Sequence, residues 1–142
     1  MKYKINKFDF LPSDALFIRE TVFIKEQGFI DEVDEIDSFA THLVLYDENE
    51  TPLATCRVFK TQENEDFILG RLCVLKEFRG IGLGKALMQE AEKTVLALSG
   101  KALSLHSQYK AKEFYKKLGY SEQGTPDYEQ GGLHIWLKKD LT

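Results

Sequence analysis

Arg79-Gly80-Ile81-Gly82-Leu83-Gly84, followed by the apolar-periodic run from Lys85 to Leu98, decides how this chain is read. Glycines at alternate positions let a loop turn with its amides pointing inward, and a helix behind it adds a positive N-terminal dipole. Together they make a cradle for phosphate or pyrophosphate, with the Arg79 guanidinium at its mouth. Phe67-Ile68-Leu69-Gly70-Arg71-Leu72-Cys73-Val74-Leu75 reads as a buried strand, so the unit is strand–loop–helix. A Walker A loop is excluded: Arg79 stands where its first glycine is required, and Ala86 where its Ser or Thr is required. A dinucleotide fingerprint starting at Gly80 meets Lys85 instead of glycine, and one starting at Gly82 meets Leu87. What remains is R-x-x-G-x-G between a strand and a long helix.

Outward from this unit, Leu87, Ala91, Val95 and Leu98 fall on one helical face, and Gly100 follows as a stop. Ala102 to Ser107 reads as a short strand, followed by a helix that ends at Gly119. Toward the N-terminus, Lys2 to Phe8 reads as a strand. Ser13 is the expected N-cap of a helix that buries Ala15, Ile18, Val22 and Phe29 and gives out near Gly28. Residues 31–37 form an acidic loop. His42 to Tyr46 and Leu53 to Phe59 pair as a hairpin across the turn Asp47-Glu48-Asn49-Glu50. Leu133 to Lys138 alternates as a last strand. Strands first, then helix–strand–helix–strand, predict a mixed α/β sheet without internal repeats.

At 142 residues one domain, spanning 1–142, is expected. A net charge of −4 argues against a general nucleic-acid binder. No charged-then-apolar leader and no apolar run near twenty residues is present, so a cytoplasmic protein with no membrane partner is expected. Cys56 and Cys73 stand apart from any histidine cluster, which predicts no metal site and reduced thiols.

The loop of residues 79–84 resembles the pyrophosphate loop of the GCN5-related N-acetyltransferases (GNAT), which bind acetyl-coenzyme A. A second likeness follows in the same order. The family's N-x-x-A-x-x-[FL]-Y-x-x-x-G-[FY] is matched at Ala111, Phe114, Tyr115, Gly119 and Tyr120, with Gln108 where Asn is usual. The order of elements resembles the same fold: one α/β domain with a mostly antiparallel mixed sheet, flanking helices and a V-shaped strand splay. Arg19-Glu20-Thr21-Val22-Phe23-Ile24-Lys25-Glu26-Gln27, the pair Asp34 and Asp37 with His42, and Tyr128 to His134 resemble a bacterial subgroup typified by ElaA and YjcF.

The resemblance implies acetyl-CoA as cosubstrate and no metal. It puts Leu72, Cys73 and Val74 beside pantetheine and the acetyl group, and Arg79, Gly80, Ile81, Gly82, Leu83 and Gly84 on the pyrophosphate with Lys85. Gln108 and Phe114 complete the coenzyme set. Tyr115 is the implied general acid for the departing thiolate, and an amide near Val74 the oxyanion donor. For the base, Glu26, His42, His106, Glu129, His134 and a water chain stay open, with Glu26 and His134 in the segments that carry the subgroup likeness. Cys73 admits an acetyl-cysteine route with His106 as its base, against its reading as a small buried strand residue. The expected activity is direct transfer to the primary amine of a small molecule. A protein or peptide acetyltransferase and a non-catalytic acyl-CoA-binding module are the alternatives. Asp31, Glu32, Asp34, Glu35 and Asp37 are read as a solvated loop or as a rim steering a cationic amine. Relatives that pair through sheet edges or N-terminal helices make a homodimer an expectation.

Overall fold

The computed structural model describes residues 1–30, 33–61, 66–129 and 131–142. Seven strands run in chain order: β1 (Tyr3–Phe8), β2 (Thr41–Asp47), β3 (Pro52–Lys60), β4 (Phe67–Val74), β5 (Ala102–Gln108), β6 (Ser121–Glu129) and β7 (Gly132–Asp140). They form one sheet in the order β1-β2-β3-β4-β5-β7-β6. Every neighbouring pair is antiparallel except β4–β5, which is parallel. Helix α1 (Ser13–Arg19) precedes β2, α2 (Leu83–Ala97) joins β4 to β5, and α3 (Lys112–Lys117) follows β5.

Helices on both faces explain why β2 is buried along most of its length instead of alternating. Leu43 and Leu45 join the core under α2, whose Leu83, Leu87, Met88, Ala91 and Val95 pack there. Val44 and Tyr46 point the other way and join Ala15, Ile18 and Val22. Two sequence expectations shift by a turn. Leu98 caps α2 and is exposed, because at i+11 it lies past the last packed turn. Pro12, not Ser13, stands at the N-cap of α1 and offers no side-chain bond there.

The helix expected to run toward Gly28 changes type after Arg19, and Glu20–Glu26 is a π-helical turn. The amide of Gln27 reaches back five residues to the Val22 carbonyl at 3.0 Å. Such turns shift side chains out of the α-helical register and gather at functional sites. Here Phe23 and Gln27 turn to the central cleft.

β6 escaped the sequence reading. All nine residues are exposed, and the run carries Gly124 and Pro126. It is an edge strand held by β7 alone, so no apolar period marks it.

Candidate active site

β4 and β5 pair at only three positions, ending at Leu69↔Leu105. Beyond that point the strands part. The cause sits in the register of β4 against β3. Thr55 faces Cys73 and Arg57 faces Gly70, so Arg71 and Leu72 together oppose Cys56. That bulge bends β4, and Arg71 takes a positive φ of 56° to make it. The opening is a cleft of about 850 Å³.

At one end of the cleft lies the glycine loop. Gly82 is the N-cap of α2 with φ 91°, and Gly80 has φ 79°. In this left-handed region a side chain is strained, so glycine is needed for the amides to turn inward. Gly84 enters the helix beneath Phe114, whose ring tip would stand 3.3 Å from an added Cβ. Gly80, Gly82, Leu83, Gly84 and Lys85 line the cleft together with Leu72, Cys73, Val74, Gln108 and Phe114. Ile81 does not, and its side chain is 56% exposed. A turn of left-handed glycines on a fifteen-residue helix, with Arg79 and Lys85 beside it, fits a pyrophosphate in charge and form.

Arg79 donates through Nε to the Val74 carbonyl at 2.9 Å. Its other two nitrogens meet the Glu26 carboxylate at 2.6 and 2.7 Å. Hydrogen bonding from Arg79, helped by its charge, holds the Glu26 carboxyl below its ordinary value. Glu26 does not line the cleft, so the structure gives it the position of a partner to Arg79. Gln27, its neighbour, accepts from Gln108 Nε2 at 3.2 Å. The π-helical turn therefore touches two groups assigned to the coenzyme.

Tyr115 reaches the cleft from α3 and is only 9% exposed. Burial pushes its phenol well above the ordinary tyrosine range, so it keeps its proton at neutral pH. The other buried tyrosines are tied: Tyr120 donates to Glu92 and Tyr46 to Asp14, each at 2.8 Å. No such partner is seen for the Tyr115 hydroxyl among the described residues.

At the other end stand three stacked rings. His106 lies between His134, centroids 5.0 Å apart, and Trp136, 4.8 Å apart. Pairing across β5 and β7 sets this ladder, with His106 opposite Trp136 and Gln108 opposite His134. His134 Nδ1 lies 3.1 Å from the Gly132 carbonyl. A carbonyl only accepts, so Nδ1 carries the hydrogen and Nε2 is left with a lone pair. His106 meets Asp127 at 2.8 Å through Nε2 and Glu129 at 2.7 Å through Nδ1. Both nitrogens thus face carboxylates, which leaves His106 no free lone pair to activate Cys73. Asp127 and Trp136 were not singled out in the sequence, and Gln27 stood there as the last position of the segment Arg19 to Gln27. The signal for Asp127 was the strand period of two, which puts it on the face of Glu129.

The acidic loop serves another purpose. Asp37 is 2% exposed and accepts from Arg19 at 2.9 and 3.1 Å and from Arg57 at 2.7 Å. Arg57 also grips Asp34 at 2.7 and 3.0 Å. Burial pushes the Asp37 carboxyl up, but the bonds and charges of the two arginines outweigh it and hold it far below the usual range. These two carboxylates lock the segment to the sheet, whereas Glu35 is exposed. Asp31 and Glu32 lie outside the described residues. His42 is buried in the same cluster, bonded to the Asp37 carbonyl at 3.0 Å, away from the cleft.

A splayed parallel pair with a glycine loop and a long helix at its open end defines a class, the acyl-coenzyme A-dependent transferases. Residues 21–141 match the family model described as the acetyltransferase (GNAT) domain. The chain is 34% identical to YjcF of Bacillus subtilis, an uncharacterized N-acetyltransferase, over 99% of this chain and all of that one. A crystal structure from Lactobacillus plantarum assigned to the N-acetyltransferases superposes with TM-score 0.89 at 26% identity, over the whole of both chains. Escherichia coli ElaA superposes at 0.86 and 22% identity, over 98% of this chain and all of its own. The chain belongs to the GNAT acetyltransferase family, with YjcF among its relatives, and is an acyltransferase that draws on an acyl-CoA.

Proposed function

We propose that the protein moves an acetyl group from acetyl-CoA to the primary amine of a small molecule by direct attack. The observation that carries this reading is the buried Tyr115 hydroxyl, facing the cleft without a protein partner among the described residues. A module that only binds acyl-CoA has no need of it.

The amine nitrogen forms a bond to the thioester carbonyl carbon while the carbon–sulfur bond breaks. One N–H proton passes to His134 Nε2, and the Tyr115 hydroxyl gives its proton to the sulfur. The products are an acetamide and free coenzyme A. Backbone amides freed by the splay near Val74 steady the developing oxyanion. Arg79, Gly80, Gly82, Gly84 and Lys85 hold the pyrophosphate, Gln108 the pantetheine arm, and Phe114 covers the loop. Glu26 serves by partnering Arg79, and Cys73 by filling β4.

The test follows free thiol with acetyl-CoA and a panel of amines, amino acids, amino sugars and lysine peptides. Tyr115→Phe should lower kcat about 100-fold or more and leave acetyl-CoA affinity unchanged. Equal turnover by the variant would remove Tyr115 as the acid. Release with lysine peptides alone would move the reading to a peptide acetyltransferase.

A further inference from the structure

We infer that the acceptor is an arylalkylamine: a primary amine on a short arm from an aromatic body, without a carboxylate. The inference rests on the transferase reading above and names the substrate that the far end of the cleft fits.

Charge decides the amine end. His106 carries at most one positive charge, yet Asp127 and Glu129 both reach it. The trio therefore keeps a net negative charge. Glu129 lines the cleft and meets the histidine through Oε2. An ammonium group entering here meets a carboxylate, loses one proton to solvent water to become the free amine, and gives the second to the neighbouring His134 Nε2 as it attacks.

Shape and polarity decide the rest of the molecule. His134, His106 and Trp136 pack ring against ring along the cleft, and part of the Trp136 indole stays exposed. Phe23, Phe29, Ile30 and Phe59 line the same cleft. Ile30 is 73% exposed and Trp136 37%, an apolar surface left open at the mouth. A planar ring stacks on such side chains and an ammonium beside it gains from the indole face, whereas a polyamine brings the cation without the ring. A substrate carboxylate meets three cleft arginines already engaged by carboxylates, with Lys85, Lys110 and the buried Arg57 Nε among the remaining donors along the cleft. Arg57 and Arg71 both pair with Asp34, and Arg79 pairs with Glu26.

The experiment uses 2-phenylethylamine, with spermidine, glucosamine and phenylalanine as comparators. Trp136 is the one tryptophan of the chain, so its fluorescence reports binding without turnover. 2-Phenylethylamine should quench it saturably and give the highest kcat/KM of the four in thiol release. Glu129→Gln should raise the KM for this amine about tenfold or more with acetyl-CoA affinity unchanged. A higher kcat/KM for any comparator, or no saturable quenching, would overturn the inference. Saturable quenching with no thiol release from any amine would support the binding wall and count against the transferase reading instead.

Discussion

The two ends of the cleft are built in opposite ways. The coenzyme end comes from a nearly continuous run, Leu72 to Lys85, with the turn from Gln108 to Tyr115 laid against it. On the proposed reading it works through backbone amides, a helix N-terminus and glycines at positive φ. The acceptor end is assembled from single side chains on β5, β6, β7 and the π-helical turn. Recognition of a pyrophosphate needs only local geometry, so it survives as a motif. Recognition of an acceptor needs side chains brought together by register, and each substrate asks for a different set.

The same contrast separates two ionic clusters. Asp34 and Asp37 face Arg19 and Arg57 in a largely buried, matched network. Asp127 and Glu129 face one histidine at a half-exposed edge, with charge left over. The first holds the chain in place, and the second is open to a ligand.

Breaking the matched cluster should have the larger effect. Asp37→Ala removes a buried carboxylate that both Arg19 and Arg57 meet, which should cost about 3–5 kcal/mol in denaturant unfolding. The native Asp37 carboxyl lies below its unfolded value, so its stabilisation is complete above about pH 3.9 and is lost as pH falls below that. The variant should therefore show a flatter acid limb of stability against pH. An unchanged acid limb would mean that other carboxylates govern it. Glu26→Gln should act more gently and at the coenzyme end. It frees Arg79 from a competing carboxylate, so acetyl-CoA should bind up to about fivefold more tightly by calorimetry. Weaker binding would show that Glu26 positions Arg79 for the pyrophosphate.

Legibility in the sequence follows the same division. The strand–loop–helix unit, the hairpin of β2 and β3 and the α3 motif were readable because period, glycine and spacing all agree there. β6 was not, because an edge strand paired on one side needs no apolar face, and Pro126 with Gly124 looks like a loop. Its register jumps from Gln123↔Trp136 to Asp127↔His134, and that irregularity is what brings Asp127 to His106. No spacing rule shows such a jump. The acidic segment misled for a related reason. Asp34 and Asp37 look solvated until Arg19 and Arg57, distant in sequence, are folded onto them. The π-helical turn was hidden as well, since its side chains fit an α-helical period through Val22.

The central claim is that the loop of residues 79–84 grips the coenzyme through its glycine amides. Calorimetric titration of acetyl-CoA into the native protein and Gly82→Val, matched for fold by circular dichroism, tests it most directly. A β-branched residue at φ 91° forces the amides away, and two lost charge-assisted hydrogen bonds should weaken binding about 100-fold or more. Equal affinity in a folded variant would contradict the account and place the coenzyme elsewhere.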